Sequence, residues 1–196
     1  MKKIMMIAAM MVAAMSANAQ NEVGQITLQP KVGMNISTLT SDDAAKAKVG
    51  LVAGLEAEYG VAENFGITLG ALYSMQGAKV KNSDWKYNMD YINIPILAQY
   101  YPVKGLAIKA GVQFGFNVRA KISDGNNSIS VKDFYDALGI DSDKKSFDFA
   151  IPVGLSYEYA SFVLDARYNI GLSKAFKNFD DKNSVIQITL GYKFAL

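Results

Sequence analysis

The chain contains no cysteine and no histidine among its 196 residues. The lack of cysteine excludes disulfide bonds and thiolate metal sites. The lack of histidine removes the side chain that most often acts as a general base near neutral pH. We therefore predict no catalytic residues, no metal site and no cofactor.

The sequence has one long apolar run, which lies at its start. Lys2 and Lys3 precede the apolar segment 4–14, and residues 17–19 read Ala-Asn-Ala. A basic start, an apolar run and a small-residue cleavage site are typical of a secretory signal peptide. The run is too short to span a bilayer. We predict that residues 1–19 are a cleaved signal peptide.

The predicted mature domain, residues 20–196, has balanced charge. Of the 20 basic residues of the chain, two lie in the leader, which leaves 18 basic against 18 acidic residues. This balance gives no basic excess to attract nucleic acid, so we expect no nucleic-acid partner. No later apolar run is long enough for a transmembrane helix.

Apolar residues recur at every second position along the whole domain, which indicates β-strands. The predicted strands are longer than the usual five or six residues and long enough for a tilted strand to cross a membrane. We predict eight of them, at 25–37, 48–59, 65–76, 91–101, 105–119, 146–158, 161–172 and 185–196.

Short and long connections alternate between these strands. Three are tight, at 60–64, 102–104 and 159–160, and four are long and polar, at 38–47, 77–90, 120–145 and 173–184. Outer-membrane barrels have short periplasmic turns and long extracellular loops. The pattern therefore predicts an all-β fold, an eight-stranded antiparallel up-and-down transmembrane β-barrel.

The two faces of the strands differ in size as well as polarity. The apolar face carries no charge, and the opposite face carries ten glycines, at positions 33, 50, 54, 66, 70, 111, 115, 154, 171 and 191. The interior of an eight-stranded barrel is only just wide enough for side chains. The glycine face must therefore be inside and the apolar face in lipid, which makes a soluble barrel the poorer interpretation.

The inward face also carries charges of both signs. Its ten charged members are Lys31, Lys109, Arg119, Arg167, Lys193, Glu56, Glu58, Asp148, Glu158 and Asp165. Charges in a narrow interior are costly unless they are paired. We predict an interior ion network of Lys31, Glu56, Glu58, Lys109, Asp165, Arg167 and Lys193 that fills the barrel, and solvated positions near the barrel ends for Arg119, Asp148 and Glu158.

Two further features concern the strands themselves. Tyrosines stand next to the short turns, which predicts a periplasmic aromatic girdle of Tyr59, Tyr100, Tyr101, Tyr157 and Tyr159. Pro95 and Pro152 interrupt strands, and we expect a bulge or kink beside each because proline cannot donate to the ladder.

The stretch YINIPILAQYYP, with AGLEAEYGVAENFGITLGALYSMQGAK upstream, resembles the PorT-like outer-membrane β-barrel family of Gram-negative bacteria. The resemblance is clearest over residues 50–101 and implies a small barrel of the OmpA and OmpX type in the cell envelope. The terminal strand also resembles the signal read by the outer-membrane assembly machinery, which gives Tyr192, Phe194 and Leu196 a role in assembly. Barrel enzymes such as omptin-like proteases need a histidine, which this chain lacks.

We therefore expect a multi-pass protein of the outer membrane that contacts the lipid bilayer and the assembly machinery. Its role would be structural or interactive and carried by the extracellular loops, with possible protein partners there. The alternative is a secretion- or transport-associated component that acts through protein contacts. The third long loop contains VKDFYDALGI, which predicts a short helix, as a cap or a contact surface. The acidic pairs at 42–43, 141–143 and 180–181 are best interpreted as solvated loop residues.

Overall fold

The computed structural model describes residues 22–39, 45–80, 86–123, 128–130, 146–174 and 182–196. The predicted leader, the acidic pairs and the predicted loop helix lie outside these ranges. Within them, no helix is long and apolar enough to cross a membrane. The strands are β1 (Ile26–Leu39), β2 (Ala45–Ala62), β3 (Phe65–Val80), β4 (Lys86–Val103), β5 (Leu106–Ser123), β6 (Ser128–Ser130), β7 (Phe147–Tyr159), β8 (Phe162–Lys174), β9 (Lys182–Tyr192) and β10 (Phe194–Ala195).

The strands close into an antiparallel barrel. Each long strand pairs with its neighbours along the chain, and β9 pairs with β1, for example Ile188 with Met34. β10 continues the line of β9 along β1, with Phe194 opposite Leu28. β6 only extends the loop that begins at β5. The predicted eight-stranded up-and-down barrel is therefore confirmed.

The strands are longer than predicted at the end that carries the long loops, which we call the loop end; the opposite end is the turn end. β3 continues to Val80 and β4 begins at Lys86, whereas the sequence pattern predicts 76 and 91. The apolar alternation stops there, but the backbone ladder continues. β2, β4 and β5 each have 18 residues. At a tilt of about 45° such a strand rises roughly 40 Å, which is more than the hydrocarbon core.

The outer wall is apolar and the interior is mainly polar. Leu51, Leu69 and Leu164 are among the many large apolar side chains that are exposed on the outside. Leu72 and Leu97 point inward and are each 1% exposed. These two leucines show that the interior holds large apolar side chains as well as glycines.

The prolines do not produce the expected bulges. Pro95 pairs in register with Gln113, and Pro152 pairs in register with Asn169. On the opposite side of each proline the strand pairing has a gap, between β3 and β4 at Pro95 and between β5 and β7 at Pro152. The register of these strand pairs is the same before and after the gap. Of the expected bulge or kink, the bulge is therefore contradicted. The partner strand across each gap carries a glycine in register, Gly70 opposite Pro95 and Gly111 opposite Pro152, and a glycine leaves room for a proline ring.

Candidate functional site in the barrel interior

A cluster of five charged side chains crosses the middle of the barrel. We call it the central cluster: Lys31 from β1, Glu56 from β2, Lys109 from β5, and Asp165 and Arg167 from β8. Each residue lies on the inward face because side chains alternate along a strand. No side chain of the cluster is more than 2% exposed.

Arg167 joins the two carboxylates of the central cluster. Its Nη1 and Nη2 donate to Oε1 and Oε2 of Glu56 at 2.6 and 2.8 Å. Its Nε lies 2.7 Å from Oδ1 of Asp165. The planar guanidinium can make such a two-pronged contact, which a lysine cannot. β8 and β2 are separated by β9 and β1, so the Arg167–Glu56 contact reaches across the lumen.

The two lysines complete the central cluster. Lys31 Nζ lies 2.8 Å from Glu56 Oε2 and 3.5 Å from Asp165 Oδ2. Lys109 Nζ lies 2.7 Å from Asp165 Oδ2. Three cations thus share two carboxylates, and the cluster has a formal charge of +1.

A second group, which we call the basal cluster, lies nearer the turn end. Lys193 Nζ is 3.0 Å from Glu58 Oε2 and 2.9 Å from Glu158 Oε2. Tyr101 donates its hydroxyl to Glu58 Oε1 at 2.6 Å. One cation therefore serves two carboxylates, and the formal charge is −1. Taken together, the two clusters are neutral.

Tyr101 does not belong to an outer aromatic girdle, and that prediction was wrong. Its side chain points inward, where Lys193 Nζ lies 5.6 Å from the ring centroid. The reason is the alternation of the strand, since Tyr100 is the exposed member of this pair. Tyr59, Tyr157 and Tyr159 are also exposed on the outer side near the turns.

Tyr192, Phe194 and Leu196, the predicted assembly signal, lie on the outer wall. Tyr192 packs against Phe194 with ring centroids 4.8 Å apart, and against Phe162 of β8 at 5.1 Å. Leu196 is exposed. These contacts join β8 to the terminal strand, which itself pairs with β1 to close the barrel.

Asp148 and Glu158 were expected to be solvated, and both are in fact largely buried. Ser173 donates to Asp148 Oδ1 at 2.5 Å, and Asn183 donates to Oδ2 at 3.3 Å. Glu158 belongs to the basal cluster. Both residues stand at inward positions of the strand pattern, and this signal could have placed them in the network. A position near a strand end does not by itself expose a side chain.

Glycines make room for the charged groups. A Cβ on Gly70 would lie 2.7 Å from Glu56 Cγ and 3.0 Å from Pro95 Cγ. A Cβ on Gly66 would lie 2.6 Å from Glu58 Oε1. The arrangement therefore places long charged side chains opposite residues without side chains. It sets paired charges of opposite sign across the lumen.

The comparisons with known proteins agree with this architecture. No curated protein sequence matches the chain. The structure is similar to Ail, the attachment invasion locus protein of Yersinia pestis, with a TM-score of 0.54, 18% identity, and coverage of 88% of this chain and 100% of Ail. It is also similar to Neisserial surface protein A, with a TM-score of 0.52, 13% identity, and coverage of 86% and 96%.

Identities this low show a shared fold alone. The family comparison goes further, because residues 18–177 match the outer membrane protein beta-barrel domain. That match covers most of the chain, including β1 to β8. The chain therefore belongs to the outer membrane protein beta-barrel domain family and is a barrel of the outer membrane.

Proposed function

We propose that the protein is a filled, non-conducting barrel with no catalytic activity, whose role is structural or interactive and is carried by its extracellular loops. The observation that carries the proposal is the central cluster. Its contacts run between β1, β2, β5 and β8. An ion would have to separate buried pairs in order to pass, and breaking such pairs is costly.

The proposed role of the loops is supported by the length of the strands. β2, β4 and β5 rise well above a membrane of about 30 Å and form a rigid base for the loops. Binding usually resides in loops on a rigid scaffold.

The proposal also covers how the protein reaches the membrane, by export and assembly, and which subgroup of the family it belongs to. The leader, 1–19, would direct export, and Tyr192, Phe194 and Leu196 would be read by the assembly machinery. The outward aromatic rings of the terminal strand support the second step. The motifs in residues 50–101 support a PorT-like subgroup within the family.

Recording from planar bilayers tests the filled interior. We expect the purified, folded protein to give no stable single-channel steps. Large, stable steps would contradict the proposal, provided that the same sample shows the heat-modifiable gel mobility of a folded barrel.

Replacement of loop residues 131–140 by a Gly/Ser linker tests the loops. In cells that lack the protein, we expect the wild type to restore exclusion of a fluorescent dye. The 131–140 variant should reach the outer membrane but should not restore dye exclusion. A variant with residues 41–44 replaced is the matched control and should restore dye exclusion like the wild type. Full restoration by the 131–140 variant would rule out a role for that loop.

A further inference from the structure

A bulge in β5 turns a charged residue onto the outer wall. Asp90 pairs with Arg119 and Tyr91 pairs with Asn117, so Val118 is an extra residue in the ladder. Val118 is 51% exposed, and the side chain of Arg119 is 52% exposed. The alternation predicts Arg119 on the inward face, and that was wrong because a bulge reverses the alternation beyond it. The prediction that Arg119 is solvated near the barrel end is confirmed.

The position of Asp90 agrees with this reversal. Tyr73 belongs to the outward, exposed face of β3, and it donates its hydroxyl to Asp90 Oδ2 at 2.7 Å. Arg119 Nη1 lies 3.7 Å from the same oxygen. Asp90 and Arg119 therefore both lie on the outer wall, above the apolar band.

Basic residues continue this outer surface across four strands. Lys46 of β2 pairs with Lys79 of β3, and Lys79 pairs with Lys86 of β4. Lys121 lies two residues beyond Arg119 on β5 and so shares its face. We call Lys46, Lys79, Lys86, Arg119 and Lys121 the basic face. Like charges directly opposite each other are destabilising, which favours a bound anion.

A groove of about 530 Å³ runs beside the basic face. Val49, Leu51 and Met75 form an apolar side of its lining, and Arg119 and Lys121 form a charged side. Val49 and Leu51 are exposed on the outer wall, so the apolar side is continuous with the surface that contacts lipid tails.

The groove lies at the level of the lipid headgroups. Arg119 is about 13 residues from the start of β5 at the turn end. At a tilt of about 45° this distance rises roughly 30 Å, which is the thickness of the hydrocarbon core. The basic face is therefore at the outer boundary of the membrane, where the phosphates of outer-leaflet lipids lie.

We propose that the basic face binds the phosphate groups of an outer-leaflet lipid, with an acyl chain along Val49 and Leu51. The five cations supply charge for phosphate, with Asp90 as the counter-charge that orients Arg119. The apolar side of the groove favours a lipid over a soluble anion, because a soluble anion would leave it exposed to water. The site differs from the loops and the interior on which the proposed function rests.

Lipid binding by the full-length protein in detergent micelles tests the assignment. Native mass spectrometry measures retention of lipid A with its phosphates and of the same lipid after their removal. We expect the Arg119→Gln/Lys121→Gln variant to bind the phosphorylated lipid roughly 25-fold more weakly, at about fivefold per cation. The control, Lys104→Gln, removes a charge from the β4–β5 turn at the opposite end of the barrel and should bind like the wild type.

Three results would overturn the proposal. They are equal binding of the phosphorylated and dephosphorylated lipids, unchanged binding by the Arg119→Gln/Lys121→Gln variant, and binding of soluble tripolyphosphate as tight as that of the lipid. The last result would assign the face to a soluble anion. If the double variant does not fold, Lys121→Gln alone and the salt dependence of wild-type binding replace it. Binding that is weakened neither by Lys121→Gln nor by salt would overturn the proposal, since interactions between exposed charges are screened by salt.

Discussion

At the scale of the residue, Arg167 has the largest share of the interior contacts. Its guanidinium touches both carboxylates of the central cluster, Glu56 and Asp165. Lys31 also contacts both carboxylates, but only through its single Nζ. Removal of its charge would leave Lys31 and Lys109 facing two carboxylates without the group between them.

We predict that Arg167→Met lowers the free energy of unfolding by about 3–5 kcal/mol, because the buried Glu56 carboxylate loses two charge-assisted hydrogen bonds and keeps only Lys31 as a partner. Urea unfolding of the protein folded into lipid vesicles measures the change. Arg119→Met is the matched control, and we expect it to cost at most about 1 kcal/mol because Arg119 is exposed. Equal costs for the two variants would show that the central cluster contributes little to stability.

Gly70 is the second residue on which the cluster depends. A methyl group there would meet the side chains of Glu56 and Pro95. We predict that Gly70→Ala destabilises the barrel by about 1–3 kcal/mol, the usual cost of overpacking. The neighbouring Ala71 faces outward, so Ala71→Val adds volume on the lipid side and should be nearly neutral in the same urea assay. A neutral Gly70→Ala would mean that Glu56 can move aside.

At the scale of the element, the β7–β8 turn has an unusual backbone. Ala160 and Ser161 have φ values of 47° and 68°, the left-handed region that costs an L-residue roughly 1–2 kcal/mol. Two positive φ values are typical of a type I′ hairpin turn, which prefers Asn-Gly. The turn is held in place because Lys193 donates its backbone N–H to the carbonyl of Ser161 at 2.8 Å.

We predict that Ala160→Asn/Ser161→Gly raises the free energy of unfolding by about 1 kcal/mol, since both new residues tolerate this backbone. Gly105→Ala is the opposite control, because Gly105 already has a φ of 83° in the β4–β5 turn, and it should destabilise the protein. The midpoint of urea unfolding reports both changes. No gain from the double variant would indicate that the turn is not strained.

Sequence alone predicted the elements well where one face meets lipid. The apolar alternation fixes β7 and β8 to within two residues of the prediction. It could not predict the extensions at the loop end, such as Lys86 to Asp90, because strand residues above the membrane do not need an apolar outer face and so show no apolar alternation. The bulge at Val118 was also hidden, since one extra residue in a ladder leaves no mark in composition.

At the scale of the whole molecule, the inside and outside of the barrel could be predicted because glycine and charge share one face. The pairing inside could not. Glu56 and Arg167 lie 111 positions apart in the chain and meet only because β9 and β1 stand side by side. The division of charge into a central cluster of +1 and a basal cluster of −1 likewise depends on the stagger of strands around the barrel.

This division leads to a prediction about permeation. The Glu56→Ser/Arg167→Ser variant removes one charge of each sign and leaves Lys31 and Lys109 with Asp165, so the remaining formal charge is still +1. Because an eight-stranded interior is only just wide enough for its side chains, loss of the pair whose contact crosses the lumen should open a narrow path. We expect small conductance steps in planar bilayers without strong ion selectivity, because the remaining central cluster at +1 and the basal cluster at −1 still cancel. Lys104→Ser is the matched control and should remain closed. A closed double variant that retains heat-modifiable mobility would show that the Arg167–Glu56 pair is not needed to seal the lumen and that other buried inward side chains, such as Leu72 and Leu97, suffice.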